Sequence, residues 1–216
     1  EKNLNKRFEN IILKKVKIPF KQNNFFKKII NQIIFCLKVF SQLLVEKNSE
    51  LIVLQTNPPP IVVIIALVSL IKKNRFIIIS MDIYPDILIK TIDKKYSYLI
   101  KFFLSPIFKY SYKKADKVIA LGNRMKKILI KKSIDKNRIK VIPNWATGDL
   151  KVIKSYSKNE LYKEWGVYSK IRIIYSGNLG IAHDWETLLK ALRISKCCPK
   201  EIQIIFVSNG KRIKDA

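Results

Sequence analysis

The chain is poor in residues that staple, coordinate or swivel: three cysteines, one histidine and six glycines in 216 residues. Cys36 lies in an apolar stretch, and Cys197 and Cys198 stand side by side before Pro199. That arrangement gives no disulfide framework and no metal-ligand spacing, and it fits a reducing cytosol. Long apolar runs are missing too. The best, residues 61 to 71, stops at Lys72 and Lys73 and falls short of the ~18 residues a membrane span requires. No signal peptide is present; Glu1 opens the chain and Lys-Asp-Ala closes it just after a glycine turn, so both ends read as cut.

Acidic residues are scarce, 16 against 43 basic, which leaves a net charge of +27. Such an excess points toward a polyanion, either nucleic acid or an anionic lipid surface. The excess is nearly all lysine, 36 Lys to 7 Arg, and it travels with many Ile and Asn, as a compositional bias at exposed positions would also produce. Nucleic-acid readers favour arginine for bidentate contacts, and no aromatic-basic repeat or zinc spacing is present, so a basic nucleic-acid-binding protein is the weakest of the functional readings. A hydrophobic content of 48% supports a packed core, not a disordered chain.

Apolar periodicity orders the chain. Phe25 to Val45 reads as an amphipathic helix with Phe26, Ile30, Ile33, Ile34, Leu37, Phe40 and Leu44 on one face and lysines on its flanks; that face suits either a protein core or a membrane interface. Strand Leu51 to Gln55 ends in Thr56-Asn57-Pro58-Pro59-Pro60, whose prolines stop the ladder and open helix Ile61 to Ile71. Strand Phe76 to Ser80 runs into Met81-Asp82-Ile83-Tyr84-Pro85-Asp86. Helix Tyr96 to Lys114, strand Lys117 to Ala120, helix Asn123 to Lys132 and strand Ile139 to Ile142 follow. This alternation predicts a parallel sheet covered on both faces, the doubly wound α/β architecture. A polar, glycine-containing linker sets a boundary near residue 150, dividing a first domain, 1–150, from the start of a second, 151–216.

The second domain opens on Tyr175-Ser-Gly177-Asn178-Leu179-Gly180-Ile-Ala-His183-Asp184. Strand, glycine turn and helix follow one another without a break, and Asp184 can cap a helix with Leu188, Leu189 and Leu192 on its apolar side. A helix start reached through such a turn offers free N–H groups and a positive dipole end to a phosphate. In sheets of this kind ligands sit beyond the carboxyl ends of the strands, where Thr56, Asn57, Asp82, Gly122, Asn144, Gly177 and Gly210 fall.

Five pieces in this order, Thr56-Asn-Pro-Pro-Pro60, Asp82-Ile-Tyr-Pro-Asp86, Ala115-Asp-Lys-Val-Ile-Ala-Leu121, Val141-Ile-Pro-Asn-Trp145 and Tyr175-Ser-Gly-Asn-Leu-Gly180, resemble a family 4 glycosyltransferase of the GT-B fold, of the kind that builds bacterial surface polysaccharides. The resemblance implies two Rossmann-like domains, both incomplete here, the first lacking its first strand. It implies a UDP- or GDP-sugar donor, a lipid-linked or polysaccharide acceptor, retention of anomeric configuration, and no metal or other cofactor. A cytoplasmic location, peripheral on the inner face of the plasma membrane, goes with it.

Under that resemblance Gly177, Asn178, Leu179 and Gly180 approach the donor diphosphate, and Gly210 belongs to the turn on the nucleotide side. Asn178 and His183 stand where many members carry Arg and Lys; His183 suits donor contact or a helix-start role. Asp82 is a candidate acceptor-side carboxylate, or a loop cap beside Pro85. Thr56 and Asn57 are candidates for the acceptor cleft, and Asn144 and Trp145 for the hinge. The family's Glu-x7-Glu pair would fall beyond Ala216 and its first glycine loop before Glu1. A non-catalytic remnant or binding module of the same fold is therefore the alternative to a transferase fragment that is inactive alone.

Overall fold

Strands rich in Ile and Val, each followed by a helix, can pair in parallel only through crossovers, and the computed structural model shows this pairing. It describes residues 14–20, 25–46, 50–145, 160–166, 171–177, 184–194 and 201–208. The chain divides into two units, Glu1–Trp145 and Ala146–Ala216.

The first unit runs α1 (Phe25–Val45), β1 (Leu51–Gln55), α2 (Ile61–Lys72), β2 (Arg75–Ser80), α3 (Asp86–Thr91), α4 (Lys94–Lys114), β3 (Lys117–Ala120), α5 (Asn123–Lys131) and β4 (Ile139–Val141). The four strands are parallel in the order β1-β2-β3-β4, with Leu54 opposite Ile78, Ile78 opposite Val118 and Val118 opposite Ile139. Those residues lie on one sheet face, and one core joins them to Val62 and Ile65 of α2, Phe108 and Tyr112 of α4 and Leu129 of α5. Burying Val62, Ile65 and Val68 contributes about 1.5–3 kcal/mol each. The strand order advances in one direction, so right-handed crossovers deliver successive helices to the same side. On the other side Val53 is exposed and Ile77, Ile79 and Ile119 are half-buried.

Asp116 locks β3 to the start of β2. Its carboxylate accepts Arg75 Nε and the backbone N–H of Phe76, each at 3.0 Å. Partial burial alone would raise its pKa, but these bonds outweigh it and hold the carboxyl below the ordinary range. Lys72, the last residue of α2, donates to the carbonyls of Leu43, Leu44 and Glu46 where α1 ends.

Two expectations differ from the structure. Asp86–Thr91 forms a short helix, begun by Pro85. In α1 the residues turned to the core are Asn31, Phe35, Cys36, Val39 and Leu43. Of the seven residues read as one face, Phe26, Ile30, Ile33 and Leu37 are exposed, Phe26 at 71%, while Ile34, Phe40 and Leu44 are half-buried, so that face is not the core face, which centres on Asn31 and Cys36. Apolar residues stand on both sides of the helix, and the choice of face is made by its neighbours: α2 packs against it, and Asn31 bridges the backbone N–H and C=O of Phe20 at 3.2 and 2.8 Å. By length and composition alone Phe26–Val45, 20 residues at mean hydropathy 1.5, would suffice to cross a membrane. Burial raises the pKa of the Cys36 thiol, which is free.

The second unit contains α6 (Glu160–Glu164), β5 (Ile171–Ser176), α7 (Trp185–Ile194) and β6 (Ile202–Val207). β5 and β6 pair in parallel from Ile171 opposite Ile202 to Ser176 opposite Val207.

Candidate functional site

The carboxyl ends of β1 and β2 are joined by side chains that the core itself holds. Thr56, 1% exposed, follows β1 directly, and its hydroxyl accepts the backbone N–H groups of Met81 and Asp82 at 3.1 Å each. Ser80, the last residue of β2, donates from Oγ to the carbonyl of Asp82 at 3.2 Å. The Tyr112 hydroxyl, reaching up from α4, lies 3.2 Å from Ser80 Oγ and donates to the same carbonyl at 3.4 Å. The backbone of Asp82 is therefore held at its N–H and at its C=O, while the residue stays exposed at the sheet edge. A carboxylate presented on a pinned backbone can accept a hydrogen bond from an incoming hydroxyl without the loop having to order first.

Tyr112 serves this arrangement as a neutral donor. Burial, with smaller contributions from Asp82, Asp86 and Tyr84, pushes its pKa up to about 12 against the lowering effect of the Ser80 contact. Tyr84 is raised as well, by burial first and by Asp82 second, and its ring lies 6.1 Å from that of Phe108. A cavity of about 160 Å³ is lined by Tyr84, Ser105, Lys109, Tyr112 and Lys132 among others, and Lys132 pairs with Asp86 at 2.5 Å. Two carboxylates, Asp82 and Asp86, the Tyr84 phenol and the Lys109 and Lys132 ammonium groups thus gather near the buried Tyr112 hydroxyl.

Asn57 stands at a second hollow, about 270 Å³, lined also by Ile18, Asn31, Gln32, Phe35 and Pro58. Both ends of the Asn31 amide are used on Phe20, so Asn57 and Gln32 supply the polar groups there. The Asn57–Pro58 and Tyr84–Pro85 peptides are cis. A larger, shallower hollow of about 710 Å³ lies by Ser41, Gln42, Val45 and Glu46, before β1 begins and so away from the strand ends. Gly122 begins α5 with open space around the position a Cβ would take.

The predicted residues separate into three groups. Asp82, Thr56 and Asn57 come together at the ends of β1 and β2, with Thr56 turned inward as a fastening and Asn57 on a hollow. Asn144 and Trp145 follow β4 and are exposed, Trp145 at 76%, so neither is packed within the first unit. Gly177 follows β5, donates its N–H to the carbonyl of Val207 at 3.0 Å and adopts φ +153°, a conformation that residues with a Cβ rarely hold. Asn178, Leu179, Gly180, His183 and Gly210 lie outside the described residues. Asp184 caps α7: its carboxylate accepts the backbone N–H of Thr187 at 3.1 Å and the Thr187 hydroxyl at 2.6 Å.

Sequence reasoning missed Ser80 and Tyr112. Tyr112 falls on the inward stripe of α4 with Leu104, Phe108 and Ser111, and a tyrosine on a core stripe signals a buried hydroxyl in need of a partner.

Residues 4–146 match the family profile described as Glycosyltransferase Family 4. The match spans the first unit and both strand ends just described. Two solved structures share the fold: Anabaena HepE in complex with UDP-glucose, at 18% identity and a TM-score of 0.60, with 99% of this chain and 52% of that chain covered; and the same Anabaena protein in complex with UDP, at 18% identity and 0.54, with 82% and 44% covered. The chain thus spans about half the length of the solved chains it matches. No curated protein matches it significantly. With two parallel α/β units, the fold is of the GT-B type.

Proposed function

From the premise that this chain belongs to Glycosyltransferase Family 4, we propose that it supplies the acceptor side, and the opening of the donor side, of a retaining hexosyltransferase. The observation that carries this reading is the pinned Asp82: a carboxylate on a fixed backbone at the carboxyl edge of a parallel sheet, where an acceptor hydroxyl can be aligned. In the reaction the acceptor oxygen bonds to the anomeric carbon of the sugar. The bond from that carbon to the diphosphate oxygen breaks, and the hydroxyl proton leaves with the diphosphate. Asp82 orients the hydroxyl by accepting its hydrogen bond.

The donor diphosphate is assigned to the turn after β5, beginning at Gly177, with Asn178, Leu179 and Gly180 following and His183 adding an imidazole. Gly210 is assigned to the nucleotide. Gly177 supports this because its φ of +153° is a glycine conformation that brings main chain, not side chain, to the surface of the strand end. The neighbours bound to UDP and UDP-glucose make a uridine diphosphate sugar the first donor to try. The acceptor is a lipid-linked or polysaccharide saccharide at the cytoplasmic face of the membrane.

Calorimetry of the protein carrying this chain against UDP- and GDP-hexoses tests the donor. Binding of one of them, lost on substitution at Gly177 and kept on substitution at Asp82, is the expected pattern. Failure to bind any nucleotide-sugar overturns the reading and leaves a non-catalytic module of the same fold.

A further inference from the structure

We propose that the cavity between α4, the end of α5 and the segment Asp82–Asp86 is a binding site for a small phosphate-bearing anion. Pro85, Leu129 and Ile134, all buried, give it apolar walls. Its polar lining is Ser105 and Lys109, one turn apart on α4, Lys132 just after α5, and Tyr84. Among the described residues the Lys109 ammonium and the Ser105 and Tyr84 hydroxyls have no hydrogen-bond partner. Three donors left over on one hollow are completed by a ligand with several acceptor oxygens.

Charge and size narrow the ligand. Lys132 is paired with Asp86, so its charge is answered, while that of Lys109 is not. Asp82 is exposed at the sheet edge, where water and salt screen it. A cation would meet two ammonium groups, and a neutral ligand would leave Lys109 without a counter-charge. An ammonium carries three N–H groups, so Lys132 can keep its bond to Asp86 and still donate. With Lys109, Ser105 and Tyr84, donors from four residues then face the hollow, which suits a tetrahedral oxyanion better than the two oxygens of a carboxylate. At about 160 Å³ the cavity admits a phosphate with a short carbon chain. Sites for drug-sized ligands need about 300–1,000 Å³, which excludes a nucleotide. The bound anion would tie α4 and the end of α5 to Tyr84, and so to the segment that carries Asp82. This inference rests on neither the donor nor the transfer chemistry, and stands if the transferase reading fails.

Calorimetric titration of the purified protein with inorganic phosphate, glycerol phosphate and acetate, at constant ionic strength in chloride, tests it. Saturable one-to-one binding of a phosphate compound is expected, with acetate weaker by about tenfold or more. Amide hydrogen exchange over residues 82–90 should slow when phosphate is bound. Lys109→Gln should weaken binding by about tenfold or more and leave the unfolding curve in place, since the residue is exposed. Ser105→Leu, which fills the cavity without removing a charge, should weaken it as well. Lys101→Gln, an exposed lysine earlier on the same helix, should not. Glycerol phosphate binding tighter than inorganic phosphate would make the natural occupant an ester, and the reverse the free ion; either supports the site. No saturable binding, acetate as tight as phosphate, or unchanged exchange over 82–90 would overturn the proposal. So would equal losses in the Lys101 and Lys109 variants, which would assign the binding to the diffuse charge of +27.

Discussion

The hydroxyl of Thr56 and the backbone N–H of Asp82 meet at 3.1 Å across the gap between two neighbouring strands, and the same hydroxyl takes the N–H of Met81. One buried oxygen thus fastens the loop that carries the candidate carboxylate. Four consequences can be measured.

Thr56→Val keeps the shape of the side chain and removes the acceptor, leaving two part-buried N–H groups short of their partner. A loss of about 1–3 kcal/mol in urea unfolding is expected, most of it restored by Thr56→Ser. Equal stability of the valine variant and wild type would remove this fastening from the account.

Tyr112 gives a pH signature. Its pKa rises from the ordinary 10 to about 12 in the folded protein, so the folded state holds the phenolic proton more tightly than the unfolded chain does. The stability due to this difference is full below pH ~10 and is lost as pH rises toward ~12, about 2–3 kcal/mol in all. Tyr112→Phe should flatten that stretch of the stability curve, and ultraviolet titration should show one late-ionising tyrosine missing.

Asp82→Asn tests the chemistry apart from the fold. The residue is exposed and its backbone bonds do not involve the carboxylate, so unfolding should shift by no more than about 0.5 kcal/mol. Transfer to the acceptor should fall by about a hundredfold or more with donor affinity intact. Wild-type turnover in this variant would leave Asp82 as an ordinary loop residue.

Gly177→Ala places a Cβ where φ is +153°. The nearest atom to that Cβ, the Tyr175 hydroxyl, would be 3.8 Å away, so the penalty comes from the backbone and not from a clash. It should destabilise the second unit by about 1–3 kcal/mol and weaken donor binding. Gly177→Val should weaken it further. Donor titration that gives one affinity for all three proteins would detach this turn from the diphosphate.

Much of the architecture could be read from residue order, because apolar strands, proline stops and glycine turns are local signals. The cap from Asp184 to Thr187 is legible for the same reason, three positions apart on one turn. The orientation of α1 is not: the face that holds Phe26, Ile30, Ile33 and Leu37 suits either a core or a membrane interface by sequence, and these four are exposed in the fold, since a helix with apolar residues on both sides leaves its inner face to be chosen by distant partners. Thr56 was placed among ligand contacts, yet its hydroxyl is engaged by residues 25 and 26 positions away, a relationship that only strand pairing creates. Tyr112 and Ser80 were passed over for the same reason: they become neighbours once α4 crosses above β2.

The lysine that closes α2 has a consequence for the helical layer as a whole. Both α1 and α2 run toward the starting edge of the sheet, so two carboxyl ends with partial negative charge lie side by side. Bare helices in that arrangement repel each other. The ammonium of Lys72 stands where the two ends converge, bonded to carbonyls of one helix and belonging to the other. A single cation thereby turns an unfavourable alignment of dipoles into an attractive one.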